Sequence, residues 1–210
     1  MWSHCTLRRL YSLLSAKMLV WKPADKDEIE DMVKAFESVG NYALAHNKLE
    51  EDTAFPFIAE QDPKFKEAIK AIEADHKKFT QDWNAIQPQV QAIAKLTPGT
   101  GQDQIAALAA KVKEITEFVF KLFAEEEKIC LPFMVNIPKD KQQKLGKTIE
   151  ELSRKDENSK FFFCAMMDAS KHDKEMAETF KKETPWFART MFSAIFLKKE
   201  YGWFQKVVEI

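Results

Sequence analysis

Apolar residues recur at steps of three and four along almost the whole chain, which is the spacing of an amphipathic α-helix. Four long segments with this spacing come first, and we call the predicted helices A to D. Their predicted starts are residue 2, the capping pair Asp25 and Glu28, the pair Asp62-Pro63, and the end of the loop Thr97–Gly101. Four such helices with short connections predict an all-α, up-down-up-down four-helix bundle over residues 1–136.

The pattern changes after Pro138, and residues 137–210 are predicted to form a helical appendage packed on the bundle. Its predicted helices cover residues 140–154 and 158–182, and Thr184-Pro185 caps a last helix rich in aromatic side chains. The apolar run of that last helix is shorter than the ~18 residues of a membrane span. The alternative use of this region is as a face that binds a protein partner or a membrane surface.

Composition narrows the functional classes. The chain has 210 residues, with 32 Lys plus Arg against 33 Asp plus Glu, and this balance is not typical of a nucleic-acid-binding surface. Its 5 glycines argue against a fold rich in tight turns. Three separated cysteines, Cys5, Cys130 and Cys164, indicate reduced thiols and a cytoplasmic protein. Residues 1–24 are basic and contain no acid, so an organellar leader remains an alternative, with Met18 near a possible mature start.

The chain also repeats itself. The segment that begins at His46 aligns without a gap on the segment that begins at Leu122. In this register identical residues match, among them Glu50 with Glu126, Glu51 with Glu127, and Pro56 with Pro132. Helices A and B therefore correspond to helices C and D, which predicts a bundle with internal twofold symmetry whose second half has lost a histidine.

Polar residues on the apolar seams of the four helices are the candidate metal ligands. A carboxylate on such a seam is costly unless a cation neutralises it, and imidazole with carboxylate suits iron, manganese or zinc. The repeat places His4 and His46 at one metal position and His76 with Leu122 at the other. The full candidate set is His4, His46, Glu50, His76 and Glu126.

Ordinary structural roles compete with this interpretation. A single histidine on a helix seam is most often a core residue, and the run Glu125–Glu127 would normally face solvent. Only its match to Glu50-Glu51 promotes Glu126 to a ligand. His172 lies in a charged stretch and is predicted to be exposed.

The order of these residues resembles the hemerythrin-like HHE cation-binding domain. The resemblance rests on H…HxxxEE…FP, then EADH, then xxxxEExxxxP, across residues 1–136. It implies a four-helix bundle that holds non-haem iron, with His4, His46, Glu50, His76 and Glu126 as the ligands. This chain departs from the family pattern on helix D, where Leu122 replaces a histidine. It also lacks a second helix C histidine, because positions 72 and 80 are Ile72 and Thr80.

The resemblance implies a protein that binds one or two non-haem iron ions for storage, sensing or redox protection, with O2 or a small oxidant as a further partner. Leu122 leaves one metal position incomplete, so oxygen transport is not predicted. The alternative is a metal-free scaffold that acts as an interaction protein. A ferritin-like di-iron enzyme ranks last, because Glu73 and His76 form the one ExxH pair that helices C and D offer. No nucleophile–base pair or phosphate-binding glycine loop favours another reaction.

Overall fold

The fold is entirely helical across the residues that the computed structural model describes, which are residues 2–183 and 192–209. In chain order the helices are α1 (Trp2–Val20), α2 (Lys26–Leu49), α3 (Phe55–Gln61), α4 (Phe65–Ala68), α5 (Lys70–Ile93), α6 (Gln102–Met134), α7 (Lys139–Ser153), α8 (Ser159–Ser170), α9 (Lys174–Glu183) and α10 (Gly202–Val208). Two π-helical segments, Glu50–Ala54 and Phe192–Tyr201, join α2 to α3 and precede α10.

Helices α1, α2, α5 and α6 form the predicted bundle. Helix α1 packs on α2 and α6, and α5 packs on the same two neighbours, so the four helices close a ring around one core. Each predicted seam is buried within that ring, as in Tyr11, Phe36, Phe79 and Val119. Burial of such side chains, at roughly 25 cal/mol per Å² of apolar surface, is what holds the bundle together. The all-α bundle is confirmed.

The apolar spacing of helix B continues to Phe57 and predicts an α-helix up to that residue, but the structure contains a π-helical turn over Glu50–Ala54. The amide of Phe55 donates to the carbonyl of Glu50, five residues back. Pro56 has no amide hydrogen and cannot bond the carbonyl four residues before it. The wider turn accommodates this lost hydrogen bond, and π-turns of this kind are frequent at functional sites.

Close packing between α2 and α5 depends on a glycine. A Cβ atom at Gly40 would lie 2.0 Å from the ring of Trp83, so this crossing requires a residue without a side chain. Helix α2 runs through Gly40 without a break. The predicted helix C begins in two parts, a short α4 and then α5, and Pro88 lies inside α5.

The C-terminal region differs from its prediction in one helix. The polar helix matches α7, but the single helix expected over residues 158–182 is divided into α8 and α9. Asp173 causes the break, because its side chain accepts the amide of Met176 at 2.7 Å and so caps α9. The cap predicted at Thr184-Pro185 lies outside the described residues.

The described C-terminal helices cover one side of the bundle. Helix α8 packs against α1, and α10 packs against α1 and α2. Asp168 is buried at this junction, where it accepts hydrogen bonds from Arg9 at 2.8 Å and Gln205 at 3.1 Å. Within residues 2–183 and 192–209, no helix combines the length and the apolar character needed to cross a membrane.

Candidate metal centre

Three helices bring four of the predicted ligands together inside the bundle. His4 comes from the first turn of α1, His46 from the last turn of α2, and Glu126 from the C-terminal part of α6. Glu50 follows His46 by one turn and opens the π-helical segment. One ligand atom from each of these four residues lies within 4.8 Å of every other.

The four side chains leave polar atoms without ordinary partners. His4 Nε2 and Glu126 Oε2 are 3.0 Å apart, and His46 Nε2 and Glu50 Oε2 are 3.5 Å apart. None of these four buried atoms makes a hydrogen bond of normal geometry within the described structure. Buried polar atoms are nearly always paired, so a group of four such atoms at one point requires a physical reason.

The geometry and the donor types fit a transition metal ion. Two ligands on opposite sides of an ion, each about 2.1 Å from it, lie about 4 Å apart. The largest separation of 4.8 Å is slightly wider, so a small inward movement of the side chains would complete the coordination. Two imidazoles and two carboxylates suit iron, manganese or zinc, and no cysteine belongs to the group.

His76, the fifth predicted ligand, lies beside the group rather than in it. Its Nε2 is 2.6 Å from Glu126 Oε1 and 3.8 Å from Glu50 Oε2. Its Nδ1 is 3.0 Å from Glu51 Oε1. His76 is thus held between two carboxylates in the half of the bundle where Leu122, buried at 2 % exposure, replaces a histidine.

Electrostatics differ sharply between the histidines. Burial lowers the pKa of His46 to about 4, so its imidazole is neutral at pH 7 and keeps a lone pair for a cation. Burial also lowers the pKa of His4, but Glu126 and Glu50 overcome it and raise the value to about 9. For Glu126, burial raises the pKa, while His4 and His76 prevail and lower it to about 2. The Glu126 carboxylate therefore remains ionised.

Aromatic rings separate the centre from the surrounding core. Phe123 stacks on His4 with ring centroids 4.3 Å apart and also meets the edge of His46 at 5.8 Å. Phe55 stacks on His76 at 5.9 Å. These apolar rings pack on the histidines, and such surroundings strengthen the attraction between nearby charges.

Charged residues around the four-residue group contact the histidines, although the sequence pattern assigns them no role. Glu127 Oε1 lies 2.9 Å from His4 Nδ1, and Arg8 donates two hydrogen bonds to the same carboxylate. Glu51 contacts His76 in the same way. The repeat in the sequence aligns Glu51 with Glu127 and so marks the two glutamates as equivalent. It does not reveal which histidine each glutamate contacts.

A cavity of about 310 Å³ opens to solvent on the His76 side of the centre. It is lined by His76, Glu51, Thr80, Gln81, Leu44, Asn47, Lys48 and Lys77. His76 is 2 % exposed, so the cavity reaches a residue that is otherwise enclosed by the bundle. The cavity lies between α5 and the end of α2 with its π-helical turn, and none of the four grouped residues lines it.

Comparisons with known proteins agree with the geometry. An uncharacterized protein of Dictyostelium discoideum is 31% identical over 217 residues, which cover 100% of this chain and 84% of that protein. No solved structure matches the chain significantly. The hemerythrin HHE cation binding domain matches residues 3–134, the same part of the chain that forms the bundle and its buried cluster. The chain belongs to the hemerythrin HHE cation-binding family.

Proposed function

We propose that this protein binds one non-haem iron ion through His4, His46, Glu50 and Glu126, and that iron binding serves storage or the sensing of iron, O2 or an oxidant. The observation that carries the proposal is the meeting of one ligand atom from each of four residues within 4.8 Å, in a group where each residue has a buried atom with no hydrogen bond of normal geometry. A cation would satisfy all four atoms at once. Without one, burial of these groups costs free energy with little return.

The choice of one ion follows from the two halves of the bundle. The half formed by α1 and α2 contributes His4 and His46, whereas the half formed by α5 and α6 contributes His76 and the apolar Leu122. Leucine cannot coordinate a metal. A second ion beside His76 would have one imidazole and would have to share both carboxylates, so it would bind weakly.

The competing function is a metal-free scaffold, and one observation favours it. His4 and Glu126 already neutralise each other in part, because the raised pKa of His4 leaves it protonated at pH 7. A protonated histidine between carboxylates can replace a cation electrostatically. Under this alternative, the surface formed by the C-terminal helices would carry the function by binding a protein partner.

Metal analysis of the untagged protein, produced with iron and purified without chelator, tests the proposal. We expect close to one equivalent of iron in the natural sequence and almost none after His46→Ala, because this change removes one of the two nitrogen donors, the one that is neutral at pH 7 without metal. His172→Ala is the matched control, since His172 is exposed and far along the chain in the α8–α9 connection. An iron-free natural protein whose melting temperature does not respond to added metal would establish the scaffold alternative.

A further inference from the structure

The structure also points to residues that orient a ligand of the metal centre. This inference rests on the proposed metal-binding function. We propose that Glu127, held in place by Arg8, is a positioning residue that fixes the orientation of His4 so that its Nε2 atom faces the ion. Neither Glu127 nor Arg8 would touch the metal. Their effect would pass through the imidazole of His4.

The imidazole of His4 makes a hydrogen bond on the side that faces away from Glu126 and Glu50. Glu127 Oε1 is 2.9 Å from His4 Nδ1, while His4 Nε2 faces Glu126 and Glu50 at 3.0 Å and 3.7 Å. In the neutral ring, a carboxylate that accepts the Nδ1 hydrogen fixes the tautomer, so Nε2 would present its lone pair once an ion displaces the Nε2 proton. Such carboxylate–histidine pairs orient metal ligands and raise their basicity.

Arg8 holds the carboxylate of Glu127 in place. Arg8 lies one turn after His4 on α1, and its two terminal nitrogens reach Glu127 Oε1 at 2.9 Å and Oε2 at 3.2 Å. A guanidinium that binds both carboxylate oxygens fixes the carboxylate plane as well as its position. The Arg8 guanidinium also lies 5.6 Å from the ring of Phe123, which stacks on His4. The side chains around His4 are therefore locked together.

The other half of the bundle contains an equivalent contact without the guanidinium. The twofold repeat maps the contact between Glu127 and His4 onto the contact between Glu51 and His76, which has nearly the same length of 3.0 Å. The residue that corresponds to Arg8 is Thr80, one turn after His76, and its hydroxyl donates to the His76 carbonyl instead. Glu51 thus has no guanidinium from that position, and its side chain is 41% exposed against 25% for Glu127.

The experiment compares Glu127→Gln with Glu51→Gln in the full-length protein, with Co2+ as the probe. Chelator competition measures Co2+ affinity, and the visible absorption spectrum of bound Co2+ reports ligand geometry. We expect Glu127→Gln to weaken binding by about 10- to 100-fold and to change the spectrum. Glu51→Gln should weaken binding clearly less, because His76 lies outside the four-residue group. Arg8→Gln is the second variant, because it loosens Glu127 without touching His4, and we expect an intermediate loss of affinity.

The outcomes separate this inference from the proposed function. If the natural protein fails to bind Co2+, both the function and the inference fail. If the natural protein binds Co2+ but Glu127→Gln retains its affinity and spectrum, or if Glu127→Gln and Glu51→Gln lose affinity equally, the positioning role is overturned and the metal site stands. Melting temperatures of the metal-free variants exclude loss of the fold as the cause.

Discussion

The two halves of the bundle share one design but differ in the number of histidines that could hold a metal. The half formed by α1 and α2 has two histidines in the buried group, and Glu127 with Arg8 locks one of them. In the half formed by α5 and α6, Leu122 occupies the matching ligand position. There His76 is held by a half-exposed Glu51. An internal repeat can thus keep its fold and its carboxylates while only one of its two metal positions is retained.

The C-terminal helices extend this difference. Helices α8 and α10 pack on α1 and α2, the half that supplies His4 and His46. Asp168 ties this region to Arg9, which lies next to Arg8 on α1. The solvent cavity, by contrast, opens on the His76 side. The C-terminal helices therefore buttress the half formed by α1 and α2, while the cavity lies where α2 meets α5.

Removal of Glu126 should have the largest effect, since this carboxylate serves both halves. Glu126→Ala leaves His4 and His76 without their shared partner, and loss of one member of a buried ion pair costs about 3–5 kcal/mol. We expect metal binding to be abolished and chemical denaturation to show this loss of unfolding free energy. Glu50→Ala is the matched change on α2 and should cost less, because Glu50 is 18% exposed where Glu126 is 2% exposed. Equal costs would contradict the central position of Glu126.

Restoration of the missing histidine should make the two halves alike. Leu122→His supplies an imidazole at the position that matches His46, so we expect the metal content per chain to rise towards twice that of the natural protein. Native mass spectrometry counts the ions directly. Leu122→Gln, which is polar but a poor metal ligand, is the control and should add no ion. An unchanged count in Leu122→His would show that more than this residue separates the halves.

Release of the C-terminal contact should have the smallest effect on the centre. Asp168→Asn keeps the shape but removes the charge that pairs with Arg9. Because Arg9 is 27% exposed and partly screened by solvent, we expect a cost of about 1–2 kcal/mol. Metal affinity should fall only slightly. Thermal denaturation and chelator competition measure the two effects, and a loss of affinity as large as that of Glu127→Gln would show that the C-terminal helices help to shape the centre.

The sequence predicted the bundle well because its evidence is local. Apolar spacing, the Asp25 cap and the loop before α6 depend on residues close in the chain, and all three are confirmed. The π-helical turn at Glu50 was missed because apolar spacing alone does not distinguish it from an α-helical turn. The division between α8 and α9 was missed because the capping role of Asp173 was not recognised.

The candidate site could be predicted only in part. The helical seams identified five polar residues on four helices, and the structure places four of them together with His76 alongside. The roles of Glu127 and Arg8 depend on contacts between α1 and α6, which join residues more than a hundred positions apart. Single-sequence patterns carry no information about such pairings, although the repeat register marked Glu51 and Glu127 as equivalent.

The most direct test of the unequal halves is a titration of the metal-free natural protein with Fe2+ under anaerobic conditions, followed by native mass spectrometry. We predict that one ion binds tightly to each chain and that a second binds only at much higher Fe2+ concentration. His46→Ala should remove the tight ion and Leu122→His should make the second ion tight. Two ions of equal affinity in the natural protein, or no bound ion at all, would contradict the account.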